Sequence, residues 1–150
     1  MSTRSQIEFS NKWKDDKGKL ITETRTVYRH SDGYPEGVLP DLREFLKWNG
    51  AASDVEYASA NFVYWNKKRQ IESLNRHGKM SKEDTHRWET LGFGFCENGE
   101  YHKDIEYLYK VITENEKTKV EAYEVGHEGG RWKGKQIFKR IRPRIKGVKT

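Results

Sequence analysis

Thr22-Glu23-Thr24-Arg25-Thr26-Val27-Tyr28-Arg29-His30-Ser31-Asp32-Gly33-Tyr34-Pro35-Glu36-Gly37 is the stretch in which the chain changes its repeat. Up to Tyr28, β-branched and aromatic residues alternate with polar ones, as on a half-buried strand. Past Gly37, Leu39, Leu42, Phe45 and Leu46 recur at spacings that place them on one helical face, and Pro40 stands where a first turn tolerates proline. Between the two repeats, two glycines and a proline hold five polar or ionisable side chains in one short strand-to-helix loop. Binding groups tend to concentrate on such loops.

Toward the N-terminus, Ile7-Glu8-Phe9 and the run Lys19 to Tyr28 flank the polar stretch Lys14-Asp15-Asp16-Lys17-Gly18, which predicts a β-hairpin. Toward the C-terminus, the first helix stops near Asn49-Gly50. Ser53 and Glu56 have the spacing of a capping box that opens a longer helix over 54–76, with Val55, Ala58, Phe62 and Trp65 on its buried stripe and Gly78 after its end. Residues 79–90 read as irregular, with a helical turn after Ser81. Leu91 to Cys96 reads as a strand and Asn98-Gly99 as a tight turn. The alternating segments 104–112 and 118–125 are joined by the turn Glu114-Asn115-Glu116-Lys117, with Ile105, Tyr107, Tyr109 and Val111 on one face. These last three strands predict an antiparallel meander. Ile137, Phe138 and Ile141 would anchor the terminal segment as a strand or a short helix, which Pro143 ends.

The expected architecture is α+β, an antiparallel sheet of about five strands with two helices inserted after the first hairpin and packed on one face. Residues 1–130 would form a single domain and 131–150 a basic C-terminal tail or terminal strand.

The chain has 150 residues, and its 33% hydrophobic content is compensated by five Trp, eight Tyr and six Phe, which predict an aromatic core. Cys96 is its single cysteine, so no intramolecular disulfide is possible; it reads as a small apolar residue in a reducing, intracellular setting. No apolar run approaches the length of a membrane span, and the first residues lack a signal-peptide core, so a cytoplasmic, membrane-free protein is expected. The net charge of +6 is unevenly spread. Nine of the 29 basic residues lie between Arg131 and Thr150, where no acidic residue stands, and the first 130 positions carry 20 basic against 23 acidic side chains. That asymmetry points to an anionic partner.

Thr3-Arg4-Ser5, His30-Ser31-Asp32-Gly33-Tyr34-Pro35-Glu36-Gly37, Phe62-Val63-Tyr64-Trp65, Gly92-Phe93-Gly94 and Asp104-Ile105-Glu106-Tyr107-Leu108-Tyr109 together resemble a group of small, largely uncharacterised proteins of bacteriophages and other prokaryotic genomes. The resemblance covers about residues 3 to 125 and implies a viral or mobile-element origin, with a role inside a prokaryotic host. It brings no activity with it. Ser31 departs from the group's pattern, where an aromatic often stands, and the basic tail looks longer than is usual.

Two constellations could carry chemistry. His30-Ser31-Asp32 and His102-Lys103-Asp104 repeat one pattern, and residues two apart on an extended chain point the same way. Converging, His30, Asp32, His102 and Asp104 would offer a divalent metal four ligands, and a phosphodiesterase or nuclease would use them; without metal, His30 or His102 would act as general base. The bland alternative has Asp32 and Asp104 bonding turn amides and both histidines in solvent. The second constellation is the tail, where Arg131, Lys135, Lys139, Arg140, Arg142 and Arg144 are interleaved with Trp132 and Phe138, charge for phosphate beside rings for bases. Around the first loop, Arg25, Tyr28, Arg29 and Tyr34 would suit a nucleotide, though Arg25 would equally pair with Glu23. The expected function is binding of a phosphate-bearing ligand, nucleic acid or nucleotide, without a cofactor. The alternatives are the metal-dependent enzyme and a purely structural protein whose tail docks on its own body or on a neighbouring copy, as in a homo-oligomer.

Overall fold

The computed structural model describes residues 2–77, 92–97 and 100–150. Strands β1 (Ser5–Lys14) and β2 (Leu20–Arg29) pair antiparallel along their whole length, Ile7 opposite Val27. Their turn is closed by the Asp15 carboxylate, which accepts the N–H groups of Lys17 and Lys19 at 2.9 Å. Helices α1 (Pro35–Asn49) and α2 (Val55–His77) follow, then β3 (Phe93–Cys96), β4 (Tyr107–Glu114), β5 (Lys117–His127) and β6 (Gln136–Ile141). The strand order across the sheet is β3-β2-β1-β4-β5-β6.

The α+β architecture is as expected, with both helices between the first hairpin and the later strands. The sheet has six strands and is mixed, because β4 lies parallel beside β1, Ile7 next to Tyr109 and Phe9 next to Val111. The expected meander does not form. β3 pairs antiparallel with β2 at one edge and so runs in the same direction as β4, which rules out a hairpin between them. Residues 100–106 instead lie across the sheet. The reason sits in β1, which is buried on both faces from Ser5 to Ser10 except at half-buried Glu8, and needs a strand on either side. Alternation marks a strand but does not name its neighbour.

Two helix starts differ from expectation. Pro35, not Pro40, occupies the first turn of α1, which therefore begins inside the loop; Pro40 lies in the helix interior. The cap of α2 is Asp54, whose Oδ1 accepts the N–H of Glu56 and of Tyr57 at 3.1 Å, in place of Ser53. The β4–β5 turn has Asn115 and Glu116 both at positive φ, the conformation of a two-residue hairpin turn. The expectations at Gly78, residues 79–90, Leu91 and Asn98-Gly99 fall outside the described residues.

The core lies between the helices and the sheet face carrying Ile7, Phe9, Val27, Tyr109 and Val111. Phe45 and Phe62 meet edge-on at 5.1 Å, and Phe9 and Phe62 at 5.6 Å. Each such pair adds about 0.5–1.5 kcal/mol beyond its buried area. The opposite face is partly covered by residues 100–106. The Tyr101 hydroxyl donates to Glu8, the His102 N–H donates to Gln6 at 2.7 Å, and the Tyr101 ring packs against Phe138 at 5.2 Å.

Candidate functional site

The His30 to Gly37 loop is a joint, tied by polar contacts to the N-terminal segment and to β4. The Gly33 N–H donates to the Thr3 carbonyl at 2.9 Å, and the Gly33 carbonyl accepts the buried Tyr109 hydroxyl at 2.7 Å. A Cβ on Gly33 would stand 2.8 Å from the Thr3 oxygen and from Ser5, and one on Gly37 2.5 Å from the Asp32 oxygen, so both glycines are required by close approach. Asp32 sits at φ +53, a region that aspartate tolerates better than most residues, and its carboxylate accepts the Tyr34 hydroxyl at 3.3 Å. Arg29 is 7% exposed; its Nε donates to the Ser31 carbonyl and its Nη1 to Asp41, both at 2.8 Å. Arg69, lying over the Trp65 ring, bonds the other Asp41 oxygen at 3.0 Å.

The four residues suggested for a nucleotide at this loop do not converge. Successive strand residues face opposite ways, so Tyr28 and Arg29 lie on different sides of the sheet. Arg25 reaches Glu56 at the start of α2 at 2.8 Å. Tyr34 is held by Asp32. What remains near the loop is a polar recess of about 360 Å³ walled by Arg29, Asp32, Asp41 and Arg69, in which Asp41 already takes both guanidiniums.

Three of the four His/Asp candidates do gather, around Tyr28. Its ring lies 4.8 Å from that of His102 and 6.3 Å from that of His30, and its hydroxyl donates to Asp104 at 3.4 Å. Asp104 also takes Arg4 at 3.3 Å. Burial, followed by the charge of Asp104, pushes the Tyr28 hydroxyl up to about 12, so it stays protonated. Asp32 is engaged elsewhere by Tyr34. The four-ligand set is not formed, and among the described residues no three His, Cys, Asp or Glu side chains are placed to hold a metal ion. Cys96 is half-buried on β3, and burial raises its thiol to about 11, the inert form of the residue.

The tail behaves differently. Residues 136–141 form β6, a strand as one of the two expectations had it. Ile141, Ile145 and Val148 pack against the core, and a bridge between Ile145 and Val148 turns the chain back toward α1. At that turn Gly147 has φ +77, and a Cβ there would stand 2.5 Å from the Arg43 guanidinium. β6 ends opposite Ala122, so β5 from Lys117 to Glu121 keeps one edge without a strand partner among the described residues. Between that edge, α1 and the returning tail runs a groove of about 750 Å³. Leu39, Leu46, Val120 and Val148 give it an apolar floor. Its cationic side chains are Arg43, Lys47, Lys119, Arg140, Arg142 and Lys149, and Glu121 is its one acidic side chain.

Glu121 is held by Arg140 at 2.8 Å, by Lys119 at 3.6 Å and by the Tyr123 hydroxyl at 3.0 Å. Burial pushes its carboxyl up, but the Tyr123 hydrogen bond and the two cations outweigh that and leave it lowered. Arg43, Arg142 and Lys149 form no ion pair among the described residues. The sequence singled out Arg140 and Arg142 of this groove and counted Lys149 among the nine cations of the tail, but missed Arg43, Lys47 and Lys119. The available signal was on α1, where Arg43 and Lys47 are four apart and flank the Leu39, Leu42 and Leu46 stripe. Nothing local in the sequence says that the tail returns to that helix.

Among the described residues no helix is long and apolar enough to cross a membrane. No protein family, curated protein or solved structure matches the chain.

Proposed function

We propose that this chain is a binding protein for a phosphate-bearing ligand, nucleic acid or nucleotide, seated in the groove between α1, the β5 edge and the returning tail. The observation that carries this reading is the ratio of six cationic side chains to one acidic side chain around an apolar floor. Cations at the rim suit phosphate, and the aliphatic floor suits the flat apolar faces of a base. The resemblance to phage proteins fits a role in host takeover or counter-defence. Catalysis is not needed to explain this groove.

Removing residues 131–150 would strip β6 from the sheet, so charge reversal is the cleaner test. Arg43→Glu and Arg142→Glu, each compared with wild type for binding of a labelled oligonucleotide and of a mononucleotide over a salt series, are expected to weaken binding at least tenfold and to flatten the salt dependence by about one phosphate contact each. Equal affinity in the two variants and in wild type, at every salt concentration, would remove the groove as the site.

A further inference from the structure

The β5–β6 hairpin loop presents a tryptophan in a conformation that bulky residues seldom adopt. Trp132 has φ +61, the residue is 40% exposed, and the Arg131 guanidinium lies over its ring at 4.3 Å. The loop beneath is tied by backbone bonds, Glu128 N–H to the Lys135 carbonyl at 3.0 Å and Lys133 N–H to the Gly130 carbonyl at 3.0 Å. Gly130 and Gly134, also at positive φ, let it close. An unfavourable backbone held in place so that a ring faces solvent is the kind of local strain that accompanies a binding role.

From this loop β6 runs as the outermost strand to the groove at its far end. Its six residues span about 20 Å at about 3.3 Å each. Phe138 is partly exposed on one face and Ile137 half-exposed on the other. Lys133, Lys135 and Lys139 form no ion pair among the described residues, and no acidic residue occurs from position 131 onward.

We infer that the ligand is single-stranded nucleic acid lying along the outer edge of β6, with one base stacked on Trp132 and the distal phosphates in the groove. This rests on the groove reading above. A mononucleotide would fill the groove and leave the ring, the lysines and the edge unused. A duplex offers no base face to a protruding ring, whereas an open strand does. At a stacked rise of about 3.4 Å per nucleotide, about 20 Å of edge takes about six nucleotides.

The test is a length series of single-stranded oligothymidylates and oligouridylates from two to twelve nucleotides, with a duplex of equal length and thymidine monophosphate beside them. Affinity is expected to rise with length and level off near six to eight nucleotides. Trp132→Ala should weaken binding of the eight-nucleotide strand about tenfold and leave the dinucleotide unchanged; Trp132→Phe, which keeps a ring, should restore most of the loss. Arg142→Glu should weaken both lengths. A dinucleotide that binds as tightly as the octamer, a duplex that matches the single strand, or a Trp132→Ala variant with wild-type affinity for the octamer would each overturn the single-strand track while leaving the groove in place. Failure of every oligonucleotide and of the mononucleotide to bind would bring down the groove reading itself.

Discussion

The His30 to Gly37 loop and the tail from Arg131 are both rich in polar and charged side chains, yet the fold uses them in opposite ways. Around the loop several polar groups have internal partners: Arg29, at the end of β2, has Ser31 and Asp41, Asp32 has Tyr34, and Gly33 has Thr3 and Tyr109. In the tail Ile141, Ile145 and Val148 are docked on the core and the cations are left facing solvent, with Glu121 balancing Arg140. A sequence motif that looks chemically specific can therefore be specific for packing. The surface open to a ligand lies where the sequence is merely basic.

If the loop is a joint and the tail a surface, substitutions in the loop should cost stability and leave the groove's affinity unchanged. The largest such effect is expected at Asp41. Arg29 is almost wholly buried and paired with Asp41 at 2.8 Å, so Asp41→Ala leaves an uncompensated buried charge. The expected loss is about 3–5 kcal/mol, read by denaturant unfolding as a lower midpoint with unchanged slope. A loss below about 1 kcal/mol would mean that the loop is not held as described.

Gly37→Ala comes next. Its added methyl would stand 2.5 Å from the Asp32 carbonyl oxygen, a backbone atom that moves only if the loop does. The expected cost is about 2–3 kcal/mol, a fall in melting temperature of roughly 5–10 °C. Oligonucleotide affinity of the folded variant should equal that of wild type. Preserved stability with lost affinity would reverse the comparison and return the loop to candidacy as the site.

The same contrast explains what could be read before the structure was known. Strands and helices were legible because Thr22 to Tyr28 alternates and Leu39, Leu42, Phe45 and Phe62 recur at helical spacing, both local patterns. The parallel pairing of β1 with β4 was not legible, because it joins Ile7 to Tyr109 across a hundred residues and no short-range signal encodes it. The site was half legible for the same reason. Arg140, Arg142 and Trp132 announce themselves in the tail, but Arg43 and Lys47 become part of a site only when Gly147 lets the chain turn back onto α1. Likewise His30 and His102 share a pattern in the sequence, and it is Tyr28 between them, fixed by the pairing of β2, that decides what they face.

The smallest effect should appear at Glu121, where stability and binding pull in opposite directions. Its folded pKa lies below the 4.5 of an unperturbed glutamate, so its ionised form adds stability above that pH, and the contribution is lost as pH falls through the lower folded value. Glu121→Gln should therefore be less stable than wild type at neutral pH by under about 1 kcal/mol, with the gap closing as the pH drops below about 4.5. The same substitution removes the groove's one acidic side chain and releases Arg140 from its 2.8 Å partner, so oligonucleotide affinity at neutral pH should rise. A variant that lost both stability and affinity would show that Glu121 orients Arg140 for the ligand rather than restraining it. The groove would then depend on a fixed guanidinium geometry and not on net positive charge alone.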